Sequence, residues 1–161
     1  MPEYDLAFAN KLSETAALLA NQSLSGLDAK RTVLYLGLVA TEIAMKAMLE
    51  KAGEPTAKIR KHSHDLRGLA RDLGKCKVEV EIAPGTKQHV PATRLRAIEV
   101  NGTTGKGTVG QILDAEAQGA SRYPNQVRYG PLLRHYPAEV IARMASEVVK
   151  FAEEHWGTIH K

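Results

Sequence analysis

The sequence predicts a mainly α-helical single domain over residues 1–161, with a small β/loop insertion at about 76–119. Three observations carry this. Four stretches place apolar residues three or four apart, the spacing that puts them on one face of a helix. Only two Phe and one Trp occur in 161 residues, so the core has to be built from Leu, Val, Ile, Ala and Met, which favours packed helices over an aromatic-rich sandwich. Strict polar/apolar alternation, the period of a strand, is confined to KVEVEI at Lys77 to Ile82. A chain of this length buries roughly two-thirds of its unfolded surface, enough for one core.

The first helix is expected from about Asp5 to Asn21, with Leu6, Ala9, Leu12, Ala16, Leu19 and Ala20 as its stripe and Asn10, Ser13 and Glu14 on the wet side. NQSLSG, from Asn21 to Gly26, is a turn by composition. Asp28 or Ser25 is placed to cap the second helix, which runs to about Ala52. Leu34, Leu38, Met45, Met48 and Leu49 share one of its faces, and Glu42 stands one turn before Lys46 in the favourable order. Gly53 and Pro55 end it. AKIRKH is a basic elbow, after which Ser63 is the expected N-cap of a third helix with Leu66, Leu69, Ala70 and Leu73 inward and Gly74 as its stop.

Beyond Lys75 the periodicity changes. Pro84-Gly85 interrupts the first extended run, and a second is expected around Leu95 to Val100 before the Asn101-Gly102 turn. Val109 to Ala117 forms a short helix with Ile112 and Leu113 inward, and Ser121 to Tyr136 is broken by Pro124, Gly130 and Pro131. A fourth main helix starts near Pro137 and runs to about Trp156, with Ile141, Met144, Ala145, Val148, Phe151 and Ala152 as its stripe.

Composition sets bounds on function. Cys76 is alone, so no intramolecular disulfide forms, and no signal peptide or long apolar run stands out; a soluble cytoplasmic protein without membrane association is expected. A net charge of +4 permits an anionic partner.

Four groups of residues can carry chemistry. Arg128 and His135 stand seven positions apart, just ahead of a helix start, with Arg134 beside the histidine. An arginine there can grip a phosphate while a neutral histidine takes a proton from a ribose 2′-hydroxyl, the makings of metal-independent RNA cleavage. The same residues also read as a solvated loop. Pro124 holds Tyr123 extended, so its ring can stack on a base while Arg122 pairs with phosphate, or it can simply pack the loop. His62-Ser-His64-Asp65 lacks further ligands at supporting spacing, so no metal is expected and helix capping accounts for the residue types. Glu42 is either a site carboxylate, with neighbours from the Arg122 to His135 loop, or a partner for Lys46 or a loop arginine. GTTGKGT is no phosphate-binding loop, because Val100 occupies the required first glycine position and Gly107 follows Lys106.

TEIAMKAMLEKAGE, then HSHDLRGLARDLG, and later SRYPN before a last amphipathic helix, together resemble the HEPN domain (higher eukaryotes and prokaryotes nucleotide-binding). The landmarks are Glu42 with Lys46, His64-Asp65-Leu66 and Arg122-Tyr123-Pro124, over roughly 5–75 and 120–156. The resemblance implies an up-and-down bundle of four main helices that dimerises and associates with nucleotide or RNA; the binding residues expected here are Arg122, Tyr123, Arg134, His64 and Glu42, and no cofactor is expected. It also implies a place in toxin–antitoxin or defence systems, in some cases with a nucleotidyltransferase partner. Many such proteins are ribonucleases with an R-x(4–6)-H motif, which Arg128 and His135 fit in spacing. Two departures stand beside it: Tyr129, Gly130 and Pro131 follow the arginine, and the 76–119 insertion has no counterpart in compact members. A structural dimerisation module without catalysis is the remaining alternative.

Overall fold

The computed structural model describes residues 1–22, 26–101, 106–116 and 136–161. It is mainly helical, with long helices α1 (Leu6–Ala20), α2 (Leu27–Lys51) and α7 (Ala138–His155) packed together. Between α2 and α7 the chain makes α3 (Thr56–Arg60), α4 (Leu66–Leu73), β1 (Lys77–Ala83), β2 (Thr86–Pro91), α5 (Arg94–Ala97), β3 (Glu99–Asn101), β4 (Lys106–Thr108) and α6 (Val109–Glu116).

Helix α2 is the axis of the core. All five residues of its expected stripe are buried, as are Leu69 and Leu73 of α4 and the full expected stripe of α7. By length and hydropathy α2 passes for a membrane span, but 72% of that apolar window is buried inside the fold, where packing accounts for its composition. Asp5 caps α1 by accepting from the Ala7 N–H at 2.9 Å. After α2 the chain leaves the helix through Gly53 at φ +92°, a backbone conformation that suits glycine.

Helix α1 departs from expectation. Its innermost residues are Ala9, Ser13 and Ala16, while Leu6, Leu12 and Leu19 are half-buried. Ser13, expected on the wet side, is 2% exposed, with its hydroxyl 3.2 Å from that of Ser146 on α7. Small residues let three helices approach closely, and the exposed Ser146 hydroxyl gives the enclosed Ser13 hydroxyl its partner. Gly37 of α2 belongs to the same packing, since a Cβ on it would lie 3.0 Å from Ile141 Cγ2.

The insertion contains two antiparallel pairs, β1–β2 and β3–β4. In the first, Val78 faces Val90 and Glu79 faces His89, with an irregularity between Glu81 and Ala83. Pro84 and Gly85 make the turn, and Gly85 supplies the positive φ of 76°. Residues 95–100, expected to be extended, instead hold the helical turn α5 followed by the short β3. The basic elbow is likewise partly helical, as α3. The chain end returns to this region: His160 exchanges two backbone hydrogen bonds with Lys77, and Lys161 Nζ lies 2.8 Å from Glu54.

Candidate functional site

The site begins with Glu42, buried near the middle of α2 at 7% exposure. The i, i+4 spacing brings Lys46 alongside, its Nζ donating to Glu42 Oε1 at 2.7 Å. The second oxygen, Oε2, lies 3.0 Å from Nδ1 of His64. Both carboxylate oxygens are therefore engaged, one by the same helix and one by a residue 22 positions later.

Local structure delivers His64 to that place. Asp65 caps α4, its Oδ1 accepting from the Gly68 N–H at 2.9 Å, and Leu66 and Leu69 seat the helix in the core. Ser63, the expected cap, sits instead at φ 50° in the tight turn that reverses the chain before α4. At the start of α2 the N-cap is Gly26, without a side-chain cap hydrogen bond; Asp28 lies in the first turn, and Ser25 falls outside the described residues.

A layer from the N-terminal segment closes over Lys46. Its Nζ lies 5.4 Å from the centre of the Tyr4 ring, a cation–π contact. Burial, with the neighbouring Glu3 carboxylate second, pushes the Tyr4 phenol up to about 12. Glu3 is gripped by the Arg60 guanidinium, and the Glu3 N–H donates to Glu50 Oε1 at 2.9 Å. Lys46 is thus covered on one side, while the His64 side chain remains 50% exposed. Tyr4, Glu3 and Arg60 carry no sequence signal that links them to Glu42; only the packing of the chain start on the end of α2 does so.

His62, the other histidine of the pair, turns away: its Nε2 lies 2.8 Å from Asp72 Oδ2. The two histidines therefore serve different carboxylates. Among the described residues no group of three or more His, Cys, Asp or Glu is placed to hold a metal ion. Cys76 is buried, and burial pushes its thiol up, away from thiolate chemistry.

Of the expected site residues, the fold brings Glu42 and His64 together. Arg122, Tyr123, Arg128, Arg134 and His135 lie outside the described residues, as does the loop expected to neighbour Glu42; the described neighbours of Glu42 are Lys46 and His64. Chemically, the described part is a buried carboxylate that holds a partly exposed imidazole in place. With both oxygens held, Glu42 itself is a positioning group.

Comparison of the chain with protein-family models, with curated proteins and with solved structures returned no match.

Proposed function

We propose that the chain is a HEPN-type nucleotide- or RNA-binding module of up-and-down helical architecture. The observation that carries this reading is the convergence of two landmarks of the resemblance on one buried contact: the Glu42–Lys46 pair of α2 and the His64 that opens α4. A cation and an imidazole share a carboxylate, and the imidazole remains half-exposed, as a ligand contact requires. Arg122, Tyr123 and Arg134 join the same site in this proposal, to hold phosphate and stack on a base. Arg128 and His135 are the residues on which ribonuclease activity would rest.

A cytoplasmic homodimer acting beside a nucleotidyltransferase, within a toxin–antitoxin or defence pair, completes the proposal. Phe8 at 53% and Leu18 at 64% exposure give α1 apolar surface that a second copy can cover. A mass in light scattering that stays monomeric at every concentration removes the dimer.

The test of the main reading is binding. Calorimetric titration with mononucleotides and anisotropy titration with labelled RNA should show saturation by at least one of them, weakened by His64→Ala and by Arg122→Ala. No saturation by either class ends the proposal. Incubation of the same protein with RNA and EDTA separates binding from cleavage: fragments ending in 2′,3′-cyclic phosphate, lost in His135→Ala, assign the ribonuclease.

A further inference from the structure

We propose that the exposed face of α4, together with α5, is a docking surface for the phosphodiester backbone of a single-stranded nucleic acid. The inference rests on the nucleotide- or RNA-binding reading and narrows its ligand to a polymer.

The surface is built from arginines on short elements that meet. Arg67 and Arg71 stand one turn apart on the exposed side of α4, about 5–6 Å between their Cβ atoms by helix geometry. The start of α5 seats on the end of α4, where a Cβ on Gly74 would lie 2.9 Å from Thr93 Cγ2. Arg94 follows Thr93 directly and is exposed. Arg96 is tied to the same patch through Asp114 of α6, which it meets at 2.7 Å and Arg67 meets at 3.4 Å.

The balance of charge leaves the patch cationic. Asp65 is occupied as a helix cap, Asp72 is held by His62 and Lys75, and Asp114 is shared by two arginines. Among the described residues no carboxylate pairs with Arg71 or Arg94. Guanidinium forks in such a row suit phosphate oxygens, which they bind bidentately.

The apolar complement argues against insertion into a membrane or an apolar protein interface. Leu66, Leu69 and Leu73 of α4 and Leu95 of α5 are all buried. The face therefore has no side chain to insert into a lipid layer and no apolar centre of the kind a protein interface needs. A polyanion needs neither. In sequence the row begins three residues after His64, which precedes the cap of α4.

The experiment is anisotropy titration of the full chain with a labelled mixed-sequence 20-nucleotide RNA, and with the DNA of the same sequence, over a series of salt concentrations. For Arg71→Ala/Arg94→Ala we expect affinity to fall at least several-fold. The slope of log K against log salt should shrink by about 1.4, because each of the two arginines neutralises one phosphate of a single strand and each such phosphate adds ~0.7 to the slope. Arg71→Lys/Arg94→Lys should recover most of that slope, because it keeps the charge, and circular dichroism should show the same helix content in all three proteins. The RNA and DNA arms identify which polymer is held more tightly. Unchanged affinity and slope in the alanine variant overturns the inference and leaves the reading of the site intact. So does a wild-type protein that binds mononucleotides but neither polymer. A wild-type protein that binds none of them overturns both.

Discussion

Glu42 and Glu116 are both buried carboxylates, and their surroundings are opposites. Glu42 has Lys46 on one oxygen and His64 on the other. Glu116, at the end of α6, has no hydrogen-bond partner for either oxygen among the described residues, and burial alone pushes its carboxyl up to about 7. The first region uses burial to fix a carboxylate that joins α2 to the turn ahead of α4. The second carries an enclosed acid that nothing described compensates, so its cost depends on pH. Enclosure by itself therefore marks neither a site nor a structural role; the partners decide.

The largest expected effect is at Glu42. Glu42→Ala leaves the Lys46 ammonium enclosed at 7% exposure without its carboxylate, and removing one partner of a buried pair costs about 3–5 kcal/mol. Denaturant unfolding near neutral pH measures it. Glu42→Leu/Lys46→Met should recover most of the loss, since a well-packed apolar pair replaces a buried ion pair at little cost. Failure of the double variant to recover would mean that the pair is held by more than its mutual charge.

At Glu116 the direction reverses. The carboxyl is neutral in both states well below pH 4.5, so burial carries no ionic penalty there. Between 4.5 and about 7 the unfolded chain ionises while the folded protein keeps its proton, and stability falls as pH rises through that window. Above about 7 the penalty is complete, about 3 kcal/mol by linkage. Glu116→Gln removes the titration, so it should be more stable than wild type by up to about 3 kcal/mol at pH 8 and nearly equal to it at pH 4. Parallel unfolding curves for the two proteins at both pH values check the sign. A gap that stays constant with pH would show that Glu116 finds a partner in solution.

The two carboxylates are unequally legible in the sequence, for physical reasons. Glu42–Lys46 is a local pair at one-turn spacing, and the stripes of α2, α4 and α7 follow the same 3.6-residue period, so both can be read directly. The His64 contact joins residues 22 positions apart, and no local pattern encodes it. Glu116 does carry a signal: it continues the stripe of Val109, Ile112 and Leu113 at the next turn of α6, in a place where a carboxylate is not expected. Ser13 misleads because a small polar residue can fill a close helix contact as well as an alanine can. TKQHVP forms β2 without an apolar alternation, and α3 and α5 are too short to show a period, so the insertion is readable only in outline.

A smaller effect tests how the anchored histidine is positioned. Asp65→Ala removes the cap on the Gly68 N–H at the start of α4, a loss of about 1 kcal/mol for a helix N-cap. Because His64 immediately precedes that cap, ligand affinity should fall along with stability, and Asp65→Asn, which can still cap, should restore both. Affinity that is untouched while stability drops would place the ligand contact away from the start of α4.

The smallest stability effect belongs to His64, and it is the most informative about function. Its contact with Glu42 is real, but the imidazole is half-exposed and solvent screens the interaction, so His64→Ala should cost no more than about 1 kcal/mol. Glu42 keeps Lys46 in this variant, and the core around α2 and α4 is unchanged. A purely structural histidine would therefore leave binding where it was. If the imidazole presents its edge to a ligand, nucleotide or RNA affinity should drop well beyond what the small stability change explains, with the midpoint of denaturation almost unmoved. The pair of measurements separates the two roles of the Glu42 contact, anchoring a helix and aiming a side chain, which Glu116 performs in neither sense.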